Sequence, residues 1–191
     1  VRTELIASMA VDSRWRLYYN DSWVAGHSVE ETAAVLIHEV SHLLRDHEAR
    51  RHAAAVKDVR LWNTATDCEI NDDLTAEGLP LPDDPPRPEK FGLENGEHAE
   101  TYYRQLLKPT TGSDPSAKMG SGVISGTVKT PDPIFGRASC TRDCGSGAHG
   151  EPRPWELPDD DGSAGGVAGV DPVKAQLVRR EVAQRILDRS G

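Results

Sequence analysis

The stretch SVEETAAVLIHEVSHLLRDHE, residues 28–48, decides how this chain is read. Ser28 followed three residues later by Glu31 is a capping box, in which each side chain satisfies a backbone N–H of the other's residue. From Ala33 to about Glu48 there is no Pro or Gly, and the segment is predicted to be helical. On a helix His38 and His42 stand one turn apart on the same face. Their imidazoles can then share one metal ion. Zinc suits them, because it takes nitrogen ligands tetrahedrally with no demand from its d-electrons. Glu39 is turned about 100° from His38. That offset lets its carboxylate reach a water beside the metal, as a general base, instead of the metal itself. Val35, Leu36 and Ile37 before the motif, and Leu43 and Leu44 after it, predict a buried helix. Packed or solvated histidines with no metal are the bland alternative.

A catalytic zinc needs a third protein ligand and an open position. Residues 62–71, WNTATDCEIN, fall in a second predicted helix over about Val56–Leu74, which Gly78 and Pro80 end. Asn63, Asp67 and Asn71 recur every four residues and form one polar stripe. If the stripe faces a metal, Asp67 is the ligand and the Asn side chains orient it or the substrate. If it faces solvent, it is an ordinary helix surface. Glu69 points elsewhere and is the second choice. His47 lies off the ligand face and is expected at the helix C-terminus, where a partly positive imidazole is favourable.

These pieces carry a family resemblance. Residues 12–17 (DSRWRL), 38–47 (HEVSHLLRDH), Trp62-Asn63 and 65–74 resemble the metallopeptidase domain of bacterial proteins that usually precedes a von Willebrand A-like domain. That domain is often encoded near MoxR-type ATPases. The resemblance covers most of residues 9–108 and extends weakly to 144–156. It implies a zincin-like fold, hydrolysis of a peptide or protein substrate, one Zn2+ per chain, and Asp67 as third ligand beside His38 and His42. It also implies an ATPase or von Willebrand A-like partner, although this chain ends at Gly191 with no second domain of that kind.

The fold expected is α+β. Residues 3–20 read as two strands with a turn at Asp12-Ser13, and Asn20-Asp21 reads as another turn. Residues 1–191 are expected to form a single domain, with a catalytic core over 1–108 and a closing helix over 171–189. A short helix is predicted from Glu97 to Leu107. The closing helix has Val173, Leu177, Val178, Val182 and Ile186 near one stripe. Residues 109–170 hold most of the Gly and Pro and read as an irregular excursion with one β-like run, Gly122–Lys129. That excursion is expected to pack over the cleft. Its Cys144–His149 turn could bring His149 near the open position, even as a fourth ligand. Tyr18, Tyr19, Tyr102, Tyr103 and His149 are the candidates to stabilise an oxyanion.

Composition narrows the alternatives. The net charge of −9 argues against a nucleic-acid partner, which needs a basic patch. Arg45, Arg50 and Arg51 lie among acidic neighbours and read as a solvated helix end. No run approaches the ~20 apolar residues that cross a bilayer, and no signal peptide opens the chain, so no membrane role and a cytoplasmic setting are expected. The chain opens on Val1 and not on Met, as a trimmed or processed product would. Cys68, Cys140 and Cys144 do not describe a disulfide scaffold. A second Cys/His metal site with His149 is disfavoured because no CxxC pair exists. A disulfide from Cys68 to Cys144 or Cys140 ranks above it, and thiols are the default in a cytoplasm. The rival to a peptidase is a non-catalytic zinc-binding or protein-interaction module on the same scaffold.

Overall fold

The computed structural model describes residues 1–108, 143–158 and 167–190. Strands β1 (Met9–Val11) and β2 (Leu17–Tyr19) pair antiparallel, with Met9 opposite Tyr19 and Val11 opposite Leu17. Asp12 organises the turn between them. Its Oδ1 accepts from the backbone N–H groups of Arg14 and Arg16, and its Oδ2 from Arg16 Nε at 2.6 Å and Tyr18 OH at 2.8 Å. A buried carboxylate is tolerated there because a guanidinium and three further donors satisfy it. The other guanidinium nitrogens of Arg16 donate to the carbonyls of Leu157 and Pro158. The DSRWRL motif is thus an architectural clasp.

Asn20 does more than turn the chain. Its Oδ1 accepts from the N–H groups of Ser22 and Trp23 and caps a short helix, α1 (Asp21–Ala25). Helix α2 (Val29–Leu44) follows, with both arms of the Ser28/Glu31 capping box in place. It ends at Leu44 and not near Glu48. Asp46 adopts a left-handed conformation (φ 56°), and the chain restarts as α3 (His47–Ala53). Asp is among the few residues that enter that region readily, so no Gly or Pro announces the break.

Helix α4 (Val59–Ala76) is capped by the Asp58 side chain and packs against α5 (Ala99–Leu106). Their contact is an apolar cluster of Leu61, Trp62, Ala65, Cys68, Ala99, Tyr102 and Tyr103. Another face of α4 lies on α2, so every residue from Leu61 to Asp72 is buried, polar ones included. A proline-rich run then leads to a 3-10 turn at Pro88–Phe91.

Part of the predicted excursion is ordered structure. It contains α6 (Ser146–His149), docked against β1. Val11 N–H donates to the Cys144 carbonyl at 3.0 Å, and Ser13 N–H to Ser146 Oγ at 2.9 Å. The backbones approach so closely that side chains are excluded. A Cβ on Gly145, whose φ is +81°, would run into the Val11 carbonyl, and one on Gly147 would meet Leu43 at 2.8 Å. Gly122–Lys129 and Cys140 lie outside the described residues.

The last helix, α7 (Pro172–Ser190), departs from expectation. Val173, Leu177 and Ile186 of its apolar stripe are exposed. Its attachment is polar instead: Arg179 donates to the Leu43 carbonyl at 2.7 Å, pairs with Asp46 and covers the Trp15 ring. The cation satisfies one of the carbonyls left over at the end of α2. Among the described residues the architecture is mixed, seven helices around a two-stranded sheet, as the α+β expectation requires. No helix among them is long and apolar enough to cross a membrane.

The tight seam at Gly145 is directly testable. Gly145→Ala combines a left-handed backbone with a backbone collision, and should cost about 1–3 kcal/mol in urea unfolding. A variant as stable as the wild type would show that the seam has slack.

Candidate metal centre

Helix α2 aims both imidazoles at α4. His38 Nε2 and His42 Nε2 lie 3.1 Å apart, and Asp67 Oδ1 is 3.6 Å from the first and 3.4 Å from the second. Cys144, which the sequence reading weighed only for a disfavoured second metal site, completes the group. Its Sγ is 3.6 Å from His38 Nε2 and 3.6 Å from Asp67 Oδ1. All four side chains are buried, and their ligand atoms lie within 4.8 Å of one another. Asp67, the Asn63/Asn71 stripe and the two histidines therefore share one interior face.

Hydrogen bonds behind the imidazoles determine which nitrogen is bare. Asn71 Nδ2 donates to the Pro86 carbonyl at 2.8 Å, so the amide must present Oδ1 to His38 Nδ1, also at 2.8 Å. His38 then carries its proton on Nδ1, and its Nε2 lone pair faces the group. His42 is oriented by His47, through Nδ1 to Nδ1 at 2.9 Å. His47 Nε2 faces the Glu69 carboxylate at 3.5 Å, which favours the His47 proton on that nitrogen and leaves its Nδ1 as acceptor. His42 must therefore donate from Nδ1, and its Nε2 lone pair also points inward. Burial pushes the His42 imidazole down to about 3 and the His47 imidazole below its usual range, so both are neutral near pH 7.

Two lone pairs, a carboxylate oxygen and a thiol thus converge. Burial by itself would raise the Asp67 carboxyl, and it is held well below the usual carboxylate range only where the two histidine nitrogens carry protons toward it. Its second oxygen accepts from Asn63 Nδ2 at 3.3 Å. A set of bare acceptors facing each other is repulsive unless a cation lies between them. The donor chemistry therefore fits a divalent metal, and nitrogen, oxygen and sulfur together suit zinc.

The surrounding shell corrects several expectations. His47 is not a helix C-terminal residue; the break at Asp46 turns it back onto His42. Glu69 is a hub behind the site. It accepts from Arg45, Arg50 and the Ala99 N–H, so those two arginines are not a solvated helix end. Burial opposes its ionisation, but His47 and Arg50 hold its carboxyl well below the usual range. His149 is buried away from the four-residue group: its Nε2 donates to Asp143 at 3.0 Å and its Nδ1 accepts from the Glu151 N–H. It is thus no fourth ligand. The Tyr18, Tyr102 and Tyr103 hydroxyls are engaged with Asp12, Asp72 and the Asp58 N–H. Cys68 and Cys144 are not joined to each other: Cys68 belongs to the α4–α5 core and Cys144 to the metal group.

Glu39 is buried and lines a narrow cleft with Val35, His38, Asp67, Asn71, Leu81, Pro85 and Pro86. The cleft has room for roughly one water molecule.

The pH dependence of the metal-free protein follows from these shifts. His42 takes a proton near 6.5 when unfolded but only near 3 when folded, so the unfolded chain binds more protons between those values. Stability should be full above about pH 6.5 and fall as pH drops, by up to about 1.4 kcal/mol per unit from this group. The depressed carboxyls of Asp67 and Glu69 extend the loss below their ordinary values. Urea midpoints of chelated protein at pH 7.5, 6 and 5 would show it, and a flat profile would contradict it.

No curated protein and no solved structure matches the chain. A family model does, over residues 1–190, and its description is "Putative metallopeptidase domain". The match spans the clasp at Asp12, both ligand-bearing helices and the Cys144 segment. The chain belongs to that metallopeptidase-domain family.

Proposed function

We propose that the chain is a zinc-dependent peptidase of the zincin type, with His38, His42 and Asp67 as zinc ligands and Glu39 as general base. The observation that carries this reading is the convergence of two inward Nε2 lone pairs and Asp67 Oδ1 beside the Glu39 cleft. Zinc bound there supplies a Lewis acid that polarises a carbonyl and brings the pKa of a water to about 7. Glu39 accepts the proton of the attacking water and returns it to the departing amine. Asn71 and His47 keep the two imidazoles in the ligating tautomer, and Asn63 orients Asp67. Leu81, Pro85 and Pro86 wall the cleft, so a peptide that enters it has to displace that run.

One observation favours a second reading. Cys144 supplies a fourth protein ligand atom, and four protein ligands characterise structural zinc. Two measurements separate the cases. Purified protein should hold about one zinc per chain, and Asp67→Ala should release it. Glu39→Gln should keep the zinc and lower peptide turnover by about 10²–10⁴-fold, because an amide cannot take the proton. Turnover that survives Glu39→Gln would remove the base role, and a preparation without metal would remove the site.

A further inference from the structure

We propose that the Cys144 thiolate is the fourth ligand of the metal, so that the folded chain itself occupies the position a hydrolytic water takes. The inference rests on the metal reading above and deepens it, by making the site closed at rest.

The distances support it. Around tetrahedral zinc, with bonds of about 2.0 Å to nitrogen or oxygen and about 2.3 Å to sulfur, ligand atoms lie about 3.3 Å apart, or about 3.5 Å where one is sulfur. The N/O pairs here are separated by 3.1, 3.4 and 3.6 Å. Both quoted sulfur pairs are separated by 3.6 Å. Five of the six edges of one coordination tetrahedron are thus in place, and the sixth pair, His42 Nε2 and Cys144 Sγ, lies within 4.8 Å.

The thiol is also held in place by its backbone. Its carbonyl accepts from Val11 N–H, and the glycines on its C-terminal side allow the chain to lie against β1 and Leu43 with no room for a side chain. Neighbouring Asp143 does not compete for the ion. Its Oδ1 accepts from His149 Nε2 and the Gly145 N–H, and its Oδ2 pairs with Arg153. Thiolate sulfur is a strong zinc ligand, so water gains the position only when Cys144 withdraws. Withdrawal does not require α2 and α4 to separate, because the thiol is on its own segment.

Cobalt(II) reports both the sulfur and the open position. The full chain, chelated and reloaded with Co2+, should show a sulfur-to-cobalt charge-transfer band in the near ultraviolet. Cys144→Ala should still bind Co2+ through the other three side chains but lose the band. Azide should then perturb the visible cobalt spectrum of Cys144→Ala and leave that of the wild type unchanged. Bound cobalt with no sulfur band in the wild type overturns the proposal, as does a band that persists in Cys144→Ala or a wild-type spectrum that azide shifts equally. The wild-type spectrum decides even if the variant fails to fold. Chains that bind no cobalt at all overturn the metal reading together with this one. A band present, with no peptide turnover in Cys144→Ala, supports the ligation and strikes only the hydrolytic reading.

Discussion

Two imidazole nitrogens with bare lone pairs face each other across 3.1 Å in a buried interior, next to a carboxylate. Most of what is unusual in this chain follows from keeping them there. Helix α4 has to be buried and polar at once, since it supplies Asp67, the amides that orient it and His38, and the Glu69 hub. Buried polar groups are tolerated when partnered, and most of these are partnered in series. Pro86 holds Asn71, which holds His38; Arg50 and Arg45 hold Glu69, which faces His47, which holds His42.

The charge balance is local. Glu69 would be costly at 6% exposure without its two guanidiniums and the Ala99 N–H. Arg50 also binds Glu100 on α5, so the same arginine that neutralises the hub fastens α5 against α3 and α4. At the hairpin Asp12 and Arg16 repeat the arrangement, a buried acid and base that clasp it to residues 157–158. The first cluster holds α4, which carries Asp67, and the second holds the hairpin whose Val11 binds the Cys144 backbone.

Much of this was legible in the sequence, for identifiable reasons. The capping box at Ser28, the four-residue spacing of the histidines and the four-residue recurrence of Asn63, Asp67 and Asn71 are local patterns, and helical geometry converts each into a shared face. What escaped is what depends on tertiary contact or on a signal that sequence does not carry. The break at Asp46 has no Gly or Pro, so His47 looked like a continuation of α2 and not a partner of His42. Cys144 is 106 residues from His38, and no spacing rule links a lone thiol to a helix that distant. His149 drew attention as the imidazole of that segment. The ligand atom came instead from the residue beside Gly145, whose left-handed turn lets the chain touch β1. The apolar stripe of α7 was real as a pattern but did not face the core; Arg179 of α7 anchors that helix to the carbonyl end of α2 instead.

The long separation of Cys144 from the other site residues has a consequence for assembly. The two histidines are joined by one helical turn, and Asp67 is reached through the short helix α3. Cys144 lies 77 residues beyond Asp67. Bringing such distant points together costs chain entropy before any contact repays it. Chain entropy thus favours forming the helix pair before the Cys144 segment docks. A cation gripped from both sides would act as a removable staple across that loop, stabilising the closed chain by mass action according to its free concentration. Metal supply would then determine both what the site can do and how firmly the Cys144 segment is docked.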